Sequence, residues 1–264
     1  VGSSGVPTFI RRTPRLAMVD GRPSEDRCLL SPHAGLQSMT YTFHPCTLAR
    51  PPGPLRALVF VHTALREELA LLAEEAATLA IDGDGSLDDL RARFDWATEA
   101  LHFHAKGEDA AVFPAIEERF PGAAMSFDDD HRTDDEIVAM MGERLEAWDD
   151  EGAAVEFAHL AGTLADRASL HMDKEERLLV PFIEEGFTPE EQGAMLGGMM
   201  AEFPPEFMLR GVPWIFSHLD EELRIRYATA LKNAMPPEPF AMHMGNVEAE
   251  LGAEAWAPVA AAIA

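Results

Sequence analysis

The stretch HAKGEDAAVFPAIEERF, His104 to Phe120, returns sixty-seven residues later as HMDKEERLLVPFIEEGF, His171 to Phe187. Seven of the seventeen positions are identical: His, Glu, Pro, Ile, Glu, Glu and Phe. In each copy a His and a Glu stand four apart. That is about 400° of rotation on a helix, so imidazole and carboxylate point the same way one turn apart, a spacing suited to a metal ion. Each copy also has a Pro six residues after its Glu, Pro114 and Pro181. The missing backbone donor there predicts a kink just past the two candidate ligands. Upstream, His62 and His131 each open a helix-like run and lie 69 residues apart. The sequence therefore reads as one helical hairpin present twice.

The apolar periodicity supports that reading. Leu58, His62, Leu65, Leu69, Leu72, Ala76 and Leu79 alternate steps of four and three, which marks an inward helical seam. The run ends at IDGDGS (81–86), a Gly-rich turn whose Ser86 can cap the next helix. A second seam carries Leu90, Phe94, Ala97, Leu101, His104, Glu108, Ala111 and Ala115. A third helix is expected to start near Asp128 to Asp130, with His131, Asp134, Val138, Met141, Leu145 and Trp148 inward. A fourth places Phe157, Leu160, Leu164, Ala168, His171, Glu175, Leu178 and Phe182 inward. Four helices joined by short turns predict an all-α fold, an up-down-up-down four-helix bundle over residues 55–187.

The flanks read differently. Residues 1–54 open on Val-Gly-Ser-Ser-Gly like a linker, are rich in Pro, Gly, Ser and Arg, and are expected to be irregular or disordered. Residues 188–264, rich in Met and Pro, are expected to form an appended helical cap or subdomain with two or three short helices, such as 189–201 and 218–234. The six Arg and three acidic residues of 1–54 leave fifteen basic and forty-three acidic residues in the rest. A body so anionic repels nucleic acid and anionic membrane surfaces. No run reaches the ~20 apolar residues of a membrane span, so a cytosolic protein is the default expectation. The cysteines, Cys28 and Cys46, lie in 1–54 with no CxxC spacing, which leaves thiolate metal binding and a disulfide framework unsupported.

Six ionisable residues, His62, His104, Glu108, His131, His171 and Glu175, thus project inward from four helices. A buried polar group without a partner costs about 1–3 kcal/mol, so six of them need a common partner, and a bound metal pair supplies one. The order H…HxxxE…H…HxxxE, with Pro after each HxxxE, resembles the hemerythrin-like, or HHE cation-binding, domain over about 55–187. The resemblance implies a four-helix bundle holding two iron ions, an oxo- or hydroxo-bridged di-iron centre. It further implies Glu108 and Glu175 as bridging ligands and the four histidines as terminal ones. Two imidazoles, two bridging carboxylates and the oxo or hydroxo bridge bring each iron to five ligands and leave one position open on each. Oxygen-storing hemerythrins place a fifth histidine one turn after the third-helix ligand; here that position is Asp135, which argues against simple oxygen carriage. Asp134 and Asp135 are expected to begin a solvated face rather than to ligate or accept a proton. The nitrogen and oxygen donors also suit manganese.

Rival sites are weaker. Glu99/His102 and Glu156/His159 have the ExxH spacing of ferritin-like di-iron proteins. His102 lies about 200° around the helix from His104, so both cannot face one interior. Met242-His243-Met244 could form a soft copper site, but Met is more often gap-filling core. Tyr41 and Tyr227 fall outside the repeats, so no tyrosyl radical is suggested. The expected function is that of a di-iron protein meeting oxygen, peroxide or nitric oxide by binding, sensing or detoxification. Two alternatives stay open: an oxygenase holding an organic substrate between the bundle and residues 188–264, and an iron-storage or structural bundle without turnover.

Overall fold

The computed structural model describes residues 53–264, which fall in one compact unit spanning Ala49–Ala264. Cys28, Cys46, Tyr41 and nearly all of segment 1–54 lie outside the described residues. After a 3-10 turn at Pro54–Ala57, helix α1 runs Leu58–Asp82 and α2 runs Leu87–Gly107. Gly83, at φ 67°, ends α1 in the left-handed conformation that glycine adopts without strain. As expected, Ser86 caps α2 by accepting the backbone N–H of Asp89; Asp88 and Asp89 lie in the first turn.

The predicted kink takes a specific form. Glu108–Val112 is a π-turn, in which Phe113 N–H donates to the Glu108 carbonyl five residues back, followed by α3, Phe113–Arg119. The second copy repeats it: α5 (Ala153–Lys174), preceded by α4 (Met125–Glu146), runs into a π-turn at Glu175–Leu179, where Val180 N–H donates to Glu175, and then into α6, Val180–Gly186. In α geometry the ring of a proline collides with the carbonyl four residues back; a wider turn relieves this without breaking the rod.

The extra residue in each π-turn advances the register by one, and the seam expectations that follow fail in both copies, Phe182 being only partly buried as well. Leu178, expected inward, is 50% exposed, while Leu179 is 2% exposed. In the first copy Val112 and Ile116 are buried, whereas Ala111 and Ala115 are only partly so. Away from the π-turns the seams hold better: Leu58, His62, Leu65, Leu69, Leu72 and Ala76 are all buried, and Leu79, Val138, Trp148 and Leu160, though only partly buried, pack against the core. The third helix also starts a few residues earlier than expected, at Met125. Glu117 reaches back from α3 to accept the N–H groups of Gly122 (2.6 Å) and Ala124 (2.7 Å), which turns the chain sooner.

Helices α1, α2, α4 and α5 pack in that cyclic order, with α5 closing against α1, a four-helix bundle whose hairpins are α1/α2 and α4/α5. Its core includes Leu65, Leu72, Leu90, Met141, Phe157 and Leu164. The appended region comprises α7 (Pro189–Ala201), α8 (Pro205–Ser217), α9 (Glu221–Ala234) and α10 (Pro237–Ile263). The expected helices 189–201 and 218–234 correspond to α7 and α9. The other two begin on Pro205 and Pro237, where a missing N–H is harmless because the first helical donors have no intrahelical partner. Helix α7 packs over the first π-turn so closely that a Cβ on Gly198 would sit 2.8 Å from the Cβ of Ala111. Helix α8 rests on α1, where buried Glu68 accepts hydrogen bonds from Trp214 Nε1 (2.9 Å) and Arg93 Nη1 (2.5 Å) and pairs with His218 Nε2 (3.2 Å). No helix among the described residues is long and apolar enough to cross a membrane.

Candidate metal centre

Each helix of the bundle delivers its histidine from an inward seam position, and the two glutamates follow at the N-terminal edge of each π-turn. All six sequence-predicted residues meet in the interior, none more than 6% exposed. They form two overlapping groups. In one, donor atoms of His62, His104, Glu108 and Glu175 lie within 4.8 Å of one another; in the other, donor atoms of Glu108, His131, His171 and Glu175 do. Glu108 and Glu175 belong to both.

The contacts give the geometry. His104 Nε2 is 3.5 Å and His131 Nε2 3.3 Å from Glu108 Oε2. His62 Nε2 is 3.4 Å from Glu175 Oε2, and His171 Nε2 3.3 Å from Glu175 Oε1. The Nε2 atoms of His131 and His171 are 3.1 Å apart. His62 Nε2, His104 Nε2 and all four carboxylate oxygens are buried without a hydrogen-bond partner. Buried donors and acceptors are normally satisfied, so a ring of orphaned nitrogen and oxygen atoms aimed at two shared points fits a pair of cations.

Electrostatics agree. Burial, and then the charge of Glu175, push Glu108 up to about 7, while His131, its Nε2 3.3 Å away, pulls it down. Burial also works against Glu175, but the adjacent His171, its Nε2 3.3 Å away, holds it well below the usual carboxylate range. Two carboxylates this close cannot both ionise in a dry interior without positive charge between them. Burial and the neighbouring His62 drive His104 well below its ordinary value. His131 is desolvated too, yet Asp109 and Glu108 raise it to about 10.

Residues that sequence reasoning missed surround the six. His62 Nδ1 lies 2.9 Å from Glu176 Oε1, His131 Nδ1 2.8 Å from Asp109 Oδ1, and His171 Nδ1 3.3 Å from Asp130 Oδ2. Arg66 donates to Glu176 at 2.8 Å, and Lys174 pairs with Asp130. For Asp109 and Glu176 the available signal was the acidic residue directly after each HxxxE; Asp130, next to His131, carried only the look of a helix start. Asp134 corrects the solvated-face expectation: it is 4% exposed, 3.6 Å from Arg167 Nε, and burial raises it to about 6, whereas Asp135 is exposed.

The rival residues do not converge. Glu99, His102, Glu156 and His159 are exposed, Met242 is 49% exposed, and Met244 is buried in a separate C-terminal cluster. Leu101, Val112, Phe113 and Leu179 are buried, and Phe113 stacks on His131 with ring centroids 5.2 Å apart. A surface groove of about 540 Å³ lies between α3 and α7, lined by residues that include Ala115, Arg119, Phe187 and Met195; none of the six lines it.

Comparison with known proteins gives a consistent result. Residues 53–183 match the family described as Hemerythrin HHE cation binding domain. Zinc finger protein BRUTUS of Arabidopsis thaliana is 26% identical over 187 residues, which cover 70% of this chain and 15% of that protein. Two BRUTUS-like zinc finger proteins of the same plant are each 25% identical over 190 and 194 residues, with the same coverage. The chain thus spans a small fraction of the length of these relatives. No solved structure matches it at a significant level.

Proposed function

From the premise that residues 53–183 are a hemerythrin HHE cation-binding domain, we propose that this protein holds two iron ions and that its centre meets oxygen, peroxide or nitric oxide. In this reading residues 55–187 are the iron-holding bundle and 188–264 its cap. His62 and His104 would hold one cation and His131 and His171 the other, with Glu108 and Glu175 available to both. The observation that carries the reading is the membership of both carboxylates in both four-residue groups. A donor set of imidazoles and carboxylates suits iron, and equally manganese, better than a metal that prefers thiolate. Iron held there would supply one-electron redox chemistry toward a small ligand.

The chain's own residues do the rest. Glu176, Asp109 and Asp130 turn three imidazoles so that Nε2 faces the centre. Leu101, Val112, Phe113 and Leu179 keep bulk water away, which strengthens every charge interaction inside.

Metal analysis with optical spectroscopy of the purified protein tests the reading. Two irons per chain with an oxo-bridge absorption band support it; no metal, or one, refutes it. Peroxide or nitric oxide added next separates turnover from reversible binding. Glu108→Ala and Glu175→Ala should each abolish loading, and two metals retained in both variants would contradict the bridging role.

A further inference from the structure

The two acidic residues that follow the bridging glutamates have a common geometry that the ligand set does not account for. Asp109 sits on the first π-turn, in the α1/α2 hairpin, yet its carboxylate meets His131 of α4 at 2.8 Å. Glu176 sits on the second π-turn, in the α4/α5 hairpin, yet its carboxylate meets His62 of α1 at 2.9 Å. Each one crosses to the opposite hairpin. In the ring order α1, α2, α4, α5, the α2/α4 and α5/α1 seams are the two that join the hairpins, and these carboxylates occupy one seam each. Helical geometry explains why: even in the wider π-turn a residue one step after an inward-facing Glu is rotated by roughly a quarter turn, toward the neighbouring helix rather than the centre. The repeat unit is therefore HxxxE followed by an acid, HAKGED and HMDKEE.

We propose that Asp109 and Glu176 are positioning residues that latch the two hairpins together through the terminal ligands, so that cation loading and hairpin docking are a single event. This rests on the di-cation reading above. With Nδ1–H donating to the carboxylate, each imidazole is fixed as the tautomer whose Nε2 lone pair faces the centre, and the nearby negative charge strengthens that nitrogen as a donor. The latch is unequal on the two sides. The position of His131 and His171 has a carboxylate behind both rings, Asp109 and Asp130. At the position of His62 and His104 only His62 has one among the described residues, and Glu176 also accepts a hydrogen bond from Arg66. The cation on His131 and His171 is therefore the one held more tightly.

The experiment is an anaerobic titration of ferrous iron into the full chain against a chromogenic chelator. It compares wild type, Asp109→Asn, Glu176→Gln, the double variant, and the charge-keeping swaps Asp109→Glu and Glu176→Asp. Each amide variant should weaken one of two iron positions about 10–100-fold, the double variant both, with most of the affinity restored by the swaps. In the zinc-loaded wild type, long-range proton–nitrogen spectra should find His62 and His131 protonated on Nδ1. Iron affinity unchanged in the amide variants, a lower melting point of the iron-free protein with affinity intact, or Nε2-protonated rings would each overturn the proposal. If the wild type binds no iron, the di-cation reading itself falls, an outcome distinct from two irons bound equally well by every variant.

Discussion

Removing the cations should lower the melting temperature by a calculable amount. Four side chains face the centre with buried polar atoms that have no hydrogen-bond partner: His62, His104, Glu108 and Glu175. Each such group left unsatisfied costs about 1–3 kcal/mol, which gives roughly 4–12 kcal/mol for the set. The low end applies near neutral pH, because Glu108, at about 7, can take up a proton and relieve its repulsion from Glu175. In a unit of this size 1 kcal/mol moves the midpoint by about 2–4 °C, so stripping should cost about 8–16 °C. The assay is calorimetry on protein stripped by a chelator and then reloaded with ferrous iron under anaerobic conditions. Only stoichiometric metal should be used, since free metal in excess raises the midpoint further by mass action. The gap should narrow as pH falls, because the ligands bind metal only when deprotonated. A gap below about 3 °C with two cations verified per chain would refute the view that these atoms wait on a cation.

Three further outcomes test the fold around the centre. Leu179→Asp should destabilise by more than about 3 kcal/mol by burying a charge, while Leu178→Asp should stay within about 0.5 kcal/mol, measured by urea unfolding; equal effects would mean the π-turn does not shift the register. Gly198→Ala should destabilise by about 1–3 kcal/mol, because the new methyl meets the Cβ of Ala111 at 2.8 Å. Helix propensity alone predicts a gain of about 1 kcal/mol, so a more stable variant would show that α7 does not press on the first π-turn. For Glu68, burial opposes ionisation but hydrogen bonds from His218 and Trp214 hold it down at about 2; for His218, burial lowers but Glu68 raises it. The pair's contribution is then full between about pH 4.5 and 6.5, falls as pH drops toward 2, and falls again as pH rises through the raised value of His218. His218→Gln should flatten the alkaline limb of stability against pH and shrink the acid limb, since His218 also helps hold Glu68 down; an unchanged alkaline limb would count against the pair.

What the sequence disclosed and what it hid divide at the π-turns. A constant 100° per residue carries the apolar pattern from Leu58 to Ala76 and from Leu90 to Leu101 without error, and with it the inward aim of all four histidines. The same constant fails after Glu108 and Glu175, where a hydrogen bond five residues long replaces one of four, and Leu179 takes the place that periodicity assigns to Leu178. The prolines marked both places, yet a missing donor is compatible with a kink, a break or a wider turn, and only packing selects among them. Asp109 and Glu176 were hidden for a related reason: on a helical wheel they read as solvent-facing, because the wheel has no neighbouring helices. The repeat itself resolves the ambiguity. A bulge needed only to relieve a proline could fall anywhere in the preceding turn, but here both begin on the shared glutamate, so the position of the bulge is set by the same residue that the two donor groups have in common. The register slip and the placement of the shared carboxylate are then two consequences of one local structure, which is why they occur together in each half of the bundle.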